Sequence, residues 1–309
     1  MLNNFLAVVW KVDPALFRIG SWDIRYYGVL WAAAILIGAL FFVKFVKREG
    51  LRPRVADSIF IYGALATIIG ARLGHCFFYE PAYYFSHPLE IFNLRDGGLA
   101  SHGAAIGLLV GLWLFSRKNK LPYLWSLDRV MIPVAVGGAL VRIGNLMNHE
   151  IYGIPTDKPW GFSFIENVGA WMRGAEPIWG PPSHPTQLYE AICYLILFGI
   201  LLWLYYGKDM GRRHPGIMFG VGLIGIFLPR FFIEYVKNPQ IAAENDMFLF
   251  IGQWLSIPFI IAGIIMIIYG VKHKENPPSL QEAQAAAAKR QIRDDIAAAE
   301  KKKNRQKKK

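Results

Sequence analysis

Long apolar stretches recur along the chain and are separated by shorter polar segments. Seven of these stretches are long enough to cross a hydrocarbon core, which takes about 20 residues of helix. The predicted spans are Tyr27–Val46, Val55–Phe78, Leu99–Phe115, Leu127–Met147, Leu188–Tyr206, Gly216–Tyr235 and Phe248–Val271. The pattern predicts an all-α polytopic membrane protein with about seven transmembrane helices.

The distribution of charge predicts the orientation of these helices. Lys and Arg cluster after the first, third and fifth spans and in the C-terminal tail, whereas the loop over residues 148–187 has four Asp or Glu against two Lys or Arg. By the positive-inside rule, the N-terminus faces outside, the C-terminus is cytoplasmic and this loop faces outward. We therefore expect a transmembrane catalytic domain over residues 1–278 and an Ala- and Lys-rich cytoplasmic tail over residues 279–309. The tail is predicted to begin as a frayed helix and to end in disorder.

Composition supports a membrane protein and argues against a nucleic-acid-binding one. Hydrophobic residues make up 54% of the chain and charged residues 18%, against about 25% charged residues in an average soluble domain. The formal net charge is +12, but Lys272–Lys309 alone holds 12 Lys or Arg against 5 Asp or Glu. Such a tail suits the anionic headgroups of a bilayer, and no nucleic-acid module accompanies it. We expect the lipid bilayer as a partner, and no nucleic acid.

Arg142 is the most informative charged residue within a span, because an ionisable group in lipid needs a partner or a polar cavity. Helical spacing puts Arg142 and Asn145 on one face, and Asn148 and Glu150 follow near the outer boundary. The planar guanidinium of Arg binds phosphate through paired hydrogen bonds, so this cluster is a candidate phosphate site. The alternative is a structural ion pair between Arg142 and Glu150.

Three further places combine polar residues with a membrane boundary. Arg230 and Glu234 are four residues apart on one helix face, which by itself favours a structural salt bridge. His102, at the start of the third span, is a candidate general base, although a lone His more often serves helix packing. Tyr27 lies at the interface, where anchoring is the default role. The four-residue repeat that begins at Gly103 indicates close packing against another helix.

Other patterns suggest chemistry that the sequence does not support. The Ser183–Glu190 segment combines Ser, His and Glu without a nucleophile-elbow motif, and Thr186 is better explained as a helix cap. The spacing of Gly220, Gly222 and Gly225 matches a dinucleotide fingerprint but lies inside an apolar run, which predicts helix packing. The histidines show no metal-ligand spacing, and we expect no metal.

Seven short segments follow one another between about residues 10 and 270. They are Tyr27-Gly28, Gly70-Ala-Arg72, Asp96-Gly-Gly-Leu-Ala-Ser-His102-Gly103, Arg142-Ile-Gly-Asn145-Leu-Met-Asn148-His-Glu150, His184-Pro-Thr-Gln-Leu-Tyr-Glu190, Arg230-Phe-Phe-Ile-Glu234 and Gly252-Gln253-Trp-Leu-Ser256-Ile-Pro258. As an ordered set they resemble the bacterial phosphatidylglycerol–prolipoprotein diacylglyceryl transferases.

The resemblance implies a multi-pass enzyme of the bacterial inner membrane. Its activity would transfer the diacylglyceryl group of phosphatidylglycerol to the lipobox cysteine thiol in a prolipoprotein signal peptide, releasing sn-glycerol 1-phosphate without a cofactor. The catalytic residues implied are His102, Arg142, Arg230 and Tyr27, with either His102 or Tyr27 as the base. The substrate-binding residues implied are Arg142, Asn145, Asn148, Glu150, Gly153 and Glu234.

Two other classes of membrane protein remain as alternatives. A transporter also carries intramembrane charges, but no inverted repeat relates the two halves of this sequence. A protein that binds anionic lipid without catalysis would need the same cationic residues. Release of glycerol phosphate distinguishes an enzyme from both alternatives.

Overall fold

The computed structural model describes residues 7–20, 22–93, 100–238 and 248–306. Its helices are α1 Tyr26–Arg48, α2 Arg54–Phe78, α3 Pro81–Ser86, α4 Ser101–Asn119, α5 Tyr123–Met147, α6 Val168–Trp171, α7 Thr186–Leu202, α8 Met210–Arg213, α9 Ile217–Ile233, α10 Ile251–Lys272 and α11 Leu280–Gln306. Its strands are β1 Val8–Val9, β2 Ala15–Ile19, β3 Trp22–Arg25 and β4 Phe162–Ser163. A π-helical turn, Trp203–Gly207, extends α7, and a 3₁₀ turn, Glu234–Val236, extends α9.

Six of the described helices are long and apolar enough to cross a membrane: α1, α2, α5, α7 with its extension, α9 with its extension, and α10. The chain is therefore an all-α polytopic membrane protein, as predicted. The third predicted span falls on α4, which does not meet the same criterion of length and hydropathy. Its polar ends account for this difference, because α4 begins at Ser101-His102 and carries Arg117 and Lys118 in its last turn. Leu99, where that span was predicted to begin, lies outside the described residues.

The chain divides into two compact units: residues 1–38 with 128–274, and residues 39–127 with 275–309. In the second unit, α2 packs on α4 through glycines. A Cβ on Gly74 would lie 2.7 Å from the Cα of Gly103, so the close packing predicted from the glycine repeat is confirmed. In the first unit, α9 packs on α10, where a Cβ on Gly220 would lie 2.6 Å from the Gly263 carbonyl oxygen. The glycines of the apparent dinucleotide motif thus serve helix packing.

The 148–187 loop of the first unit is folded and is anchored by His149. This residue is 4% exposed; its Nε2–H donates to the Val12 carbonyl oxygen at 2.8 Å, and its Nδ1 accepts from the Ile165 amide at 3.1 Å. Burial lowers the pKa of the His149 imidazole, against a smaller opposing effect of the Val12 hydrogen bond. The neutral imidazole uses both ring nitrogens in these two hydrogen bonds, and the bond to Val12 ties the loop to the N-terminal segment.

The C-terminal tail contains one long helix, α11, from Leu280 to Gln306. A frayed helix followed by disorder over residues 279–309 stays a prediction. Lys307–Lys309 lie outside the described residues. The first half of α11 contacts the loop between α1 and α2, where Gln284 Nε2 donates to the Arg48 carbonyl oxygen at 3.1 Å. Local composition could not predict this contact, because the two segments are far apart in sequence.

Candidate functional site

The C-terminal end of α5 holds the polar cluster predicted from the sequence. Arg142 Nη1 donates to Asn145 Oδ1 at 3.2 Å, so the two residues share a helix face as their spacing predicts. Asn145 Nδ2 and Asn148 Nδ2 then donate to the same Glu150 oxygen, at 2.8 and 3.1 Å. The Glu150 carboxylate therefore orients the two amides of the cluster.

The ion-pair partner of Arg142 is Glu190 of α7, so the alternative of a structural ion pair between Arg142 and Glu150 is wrong. Arg142 Nε contacts Glu190 Oε2, and the Glu190 side chain is 1% exposed. Glu190 lies in the first turns of the fifth predicted span, where a lone carboxylate already needed a partner. That rule could have identified Glu190 from the sequence, where the segment that contains it was explained by helix capping.

Lys237 extends the charged cluster to the end of α9. Its Nζ lies 2.5 Å from Glu190 Oε1 and 3.5 Å from Glu234 Oε2. Glu234 thus pairs with Lys237, three residues later, and not with Arg230 as its spacing suggested. These ion pairs form a chain of alternating charges across α5, α7 and the end of α9, in the order Arg142, Glu190, Lys237 and Glu234. The ion pairs of Lys237 could not be predicted from the sequence, because Lys237 follows the last apolar residue of its span.

Tyr194 of α7 lies beside α5, the helix that carries Arg142. It is 6% exposed, and a Cβ on Gly138 of α5 would lie 3.1 Å from its Cδ2. The phenol interacts electrostatically with Arg142 and with Arg230 of α9. Tyr194 could not be identified from the sequence, because a tyrosine inside an apolar run carries no signal of its own.

Tyr27 belongs to the same cluster. It interacts electrostatically with Glu150 and Arg142. Its ring packs against Gly144, where a Cβ would lie 2.8 Å from Tyr27 Cδ2. Gly144 therefore allows the start of α1 to pack closely against α5. This position goes beyond the interfacial anchoring that was the default expectation for Tyr27.

Gly153 joins three segments at the base of the loop. Its amide donates to the His184 carbonyl oxygen at 2.8 Å, and the next amide, from Ile154, donates to the Val236 carbonyl oxygen at 2.9 Å. A Cβ on Gly153 would overlap the Val236 oxygen. The residue therefore permits a close backbone approach, which fixes Lys237 beside the loop.

The start of α7 is also held by the loop. Gln187 Nε2 donates to the Glu150 carbonyl oxygen at 2.6 Å, and Thr186 Oγ1 donates to the Ile151 carbonyl oxygen at 2.8 Å. The helix-cap role expected for Thr186 is wrong, because its hydroxyl bonds the loop and makes no bond to its own helix. These bonds position Glu190, one turn further on.

The Ser183–Glu190 segment does not form a hydrolase triad. Ser183 Oγ donates to the Pro181 carbonyl oxygen at 3.0 Å, whereas His184 Nδ1 lies 3.1 Å from the Tyr189 hydroxyl. Burial and the neighbouring Lys158 lower the pKa of His184. The serine and histidine side chains thus have separate partners, as expected from the missing nucleophile motif.

His102 lies in the second unit, at the N-terminal end of α4. Its ring is exposed, stacks on Tyr79 with centroids 5.8 Å apart and meets the Phe78 ring edge to face at 5.4 Å. The structure therefore groups Arg142, Asn145, Asn148, Glu150 and Glu234 in the first unit and assigns His102 to the other. Within the described residues, no group of three His, Cys, Asp or Glu side chains is placed to hold a metal ion.

Comparison with known proteins places the amino-acid sequence of this chain in one family. Residues 14–269 match the family model of the prolipoprotein diacylglyceryl transferases. A phosphatidylglycerol–prolipoprotein diacylglyceryl transferase of Porphyromonas gingivalis is 44% identical over 86% of this chain and 95% of its own length. Proteins of the same name are 40% identical in Tolumonas auensis, over 86% of this chain and 98% of the relative, and in Bacteroides fragilis, over 88% and 99%. The chain belongs to the prolipoprotein diacylglyceryl transferase family.

Proposed function

We propose that this protein transfers the diacylglyceryl group of phosphatidylglycerol to the lipobox cysteine thiol of a prolipoprotein signal peptide. Relatives that carry the name of this activity align with most of the chain. The observation that carries the proposal at the level of residues is the fixed guanidinium of Arg142, which Glu190 and Asn145 hold beside the amide of Asn148. A guanidinium held in this way suits a phosphodiester, because it can donate paired hydrogen bonds to its oxygens.

The reaction requires a sulfur nucleophile and stabilisation of the leaving phosphate. The thiol proton passes to a base, the sulfur attacks C3 of the glyceryl group, and the bond from C3 to the phosphate oxygen breaks. The phosphate leaves with its glycerol as sn-glycerol 1-phosphate and gains negative charge. Preorganised cationic donors stabilise charge that develops in the transition state, and we assign this role to Arg142 and Arg230.

The remaining polar groups orient these cations and the lipid headgroup. Asn145 and Asn148 both donate to the Glu150 carboxylate, so their side-chain amides are oriented towards the start of the 148–187 loop. We assign headgroup contacts to these amides and to Tyr27. Glu190 holds Arg142 and Glu234 holds Lys237 through ion pairs, so both carboxylates act as positioning residues.

His102 is the base we propose for the thiol. The thiolate is the reactive form of cysteine, and an imidazole can accept its proton near neutral pH. The exposed ring at the N-terminal end of α4 is accessible to a substrate that approaches from outside this helix. Tyr27 is the alternative base, and substitution of each residue separates the two.

The membrane in which this chemistry takes place is the second part of the proposal. Charge alternation between the loops supports an outward-facing loop 148–187 and a cytoplasmic C-terminus. A bacterial cytoplasmic membrane, which is the inner membrane where two are present, would supply both substrates to a site near the outer boundary.

The direct test uses purified protein in detergent with phosphatidylglycerol and a synthetic lipobox peptide. We expect glycerol phosphate release matched one to one by peptide that gains a diacylglyceryl mass. A peptide with serine in place of the cysteine should give neither product. Binding of phosphatidylglycerol without release of glycerol phosphate would instead identify a lipid-binding protein, and the enzyme assignment would be wrong.

A further inference from the structure

The tail helix α11 is attached to the loop between α1 and α2, in the second unit. Arg52 Nη2 lies 3.3 Å from Asp294 Oδ2, and Gln284 bonds the Arg48 carbonyl oxygen. Gly50 faces the Ala283 carbonyl so closely that a Cβ there would overlap it. The family match ends at residue 269, so α11 lies beyond the part of the chain that the family shares.

A cavity of about 720 Å³ lies between this loop and α11. Part of its wall is apolar, with Val43 and Val46 from the end of α1. The charged side chains that line it are Lys47, Arg52, Asp57, Arg290 and Asp294. Val43 is 54% exposed on a helix that is apolar enough to cross the membrane, so the cavity adjoins the lipid-facing surface of α1. An apolar wall beside cations is suited to an amphiphilic anion.

The charges in and around the cavity favour an anion over a cation. Asp294 is paired with Arg52, which leaves Lys47 and Arg290 facing a single further carboxylate, Asp57, among the charged groups that line the cavity. The whole segment from Lys44 to Arg54 contains five Lys or Arg and one acidic residue, Glu49. The Glu49 carboxylate accepts a hydrogen bond from Trp125 Nε1 at 2.6 Å, so it has a partner on α5.

We propose that this cavity binds a phosphate ester group, and that its source is an anionic phospholipid of the leaflet at the α1–α2 loop. The phosphate would contact Lys47 and Arg290, and an acyl chain would lie along Val43 and Val46. The bound lipid would then join α11 to the loop between α1 and α2, at a site lined by none of the proposed catalytic residues. This inference does not depend on the proposed transfer reaction.

Native mass spectrometry of the full-length protein tests the proposal. The probes are dioleoylphosphatidylserine and, as the neutral lipid, dioleoylphosphatidylcholine; phosphatidylglycerol is avoided because the proposed catalytic site would also bind it. Arg290→Glu removes a cation from the cavity, and Arg293→Glu makes the same charge change at an exposed position of α11 that does not line it. Lys47→Gln alters α1 and leaves the contacts of α11 in place.

We expect one tightly bound phosphatidylserine in the wild type and in Arg293→Glu. Its affinity should fall roughly fivefold or more in Arg290→Glu and in Lys47→Gln, in line with the contribution of one basic residue near a membrane surface. Equal loss in Arg290→Glu and Arg293→Glu, or no loss in Lys47→Gln, would overturn the proposal. If millimolar inorganic phosphate binds in the wild type and phosphatidylserine does not, the phosphate site stands but its assignment to a phospholipid is wrong.

Discussion

Arg142 and Glu190 form an ion pair that joins α5 to α7, with the carboxylate almost completely buried. Arg142 uses Nε for this pair and Nη1 for Asn145. Both bonds lie within the protein, so they fix the plane of the guanidinium and direct its remaining donors. A phosphate ligand would therefore meet a cation whose orientation is set before the ligand arrives.

The first prediction concerns Glu190, which holds both Arg142 and Lys237. Glu190→Gln should destabilise the protein by about 3–5 kcal/mol, because removal of one partner leaves a buried cation without compensation. The thermal unfolding temperature in detergent measures this loss. Lys237 keeps Glu234 as a second partner, so Arg142 is the cation that loses its ion pair. Combining Glu190→Gln with Arg142→Gln removes both members of that pair and should recover part of the stability. If the double variant is no more stable than Glu190→Gln alone, the loss does not come from an uncompensated Arg142.

The second prediction concerns the close backbone approach at Gly153. Gly153→Ala should lower both thermal stability and activity, since the added methyl group would overlap the Val236 carbonyl oxygen and displace the backbone beside Lys237. Gly169→Ala is the matched control in the same loop, because a Cβ there would meet only Arg173 Nη1, at 3.9 Å. If Gly153→Ala unfolds at the wild-type temperature, the backbone relieves the contact without loss of stability and the prediction is wrong.

The third prediction separates the base from the phosphate site. His102→Gln should lower turnover more than it lowers affinity for phosphatidylglycerol, because a base acts on the thiol. Tyr27→Phe is the companion variant. Retention of the wild-type turnover in His102→Gln would transfer the role to Tyr27 or to water.

The fourth prediction follows from the lowered pKa of His149. A histidine whose pKa is lower in the folded state stabilises the fold only while neutral, so its contribution is complete above the unfolded-state pKa of about 6.5 and declines as the pH falls below it. The protection factor of the Ile165 amide against hydrogen exchange, which corrects for the slower intrinsic exchange at lower pH, should therefore fall as the pH is lowered from about 6.5 to 5. His149→Gln should remove this dependence, whereas substitution of the exposed His273 should leave it unchanged.

Sequence periodicity predicted the helices well because the signal is local. Apolar runs predicted all of the candidate membrane-spanning helices, and helical spacing predicted that Arg142 and Asn145, which are hydrogen-bonded, share a helix face. The α4 helix shows the limit of this signal, since its polar ends lower the hydropathy of an otherwise apolar segment.

Ion-pair partners could not be predicted in the same way. Glu150 is near Arg142 in sequence and was the natural candidate, but its carboxylate bonds two asparagines. The actual partner, Glu190, comes from another helix, and its selection depends on how α5 and α7 meet. Spacing likewise suggested Arg230 as the partner of Glu234, whereas the turn after α9 brings Lys237 to it. Such choices depend on tertiary packing, which one-dimensional patterns do not contain.

The most direct test of the account is the specific activity of Arg142 variants per folded molecule, measured together with their binding of phosphatidylglycerol. Arg142→Lys keeps a cation beside Glu190 but loses the paired donors, so it should insert normally and lose most of its activity. Arg142→Ala should lose activity by roughly 100-fold or more and bind the lipid more weakly. Normal lipid binding and normal specific activity in Arg142→Ala would contradict the phosphate-binding role of this residue and the proposed site built around it.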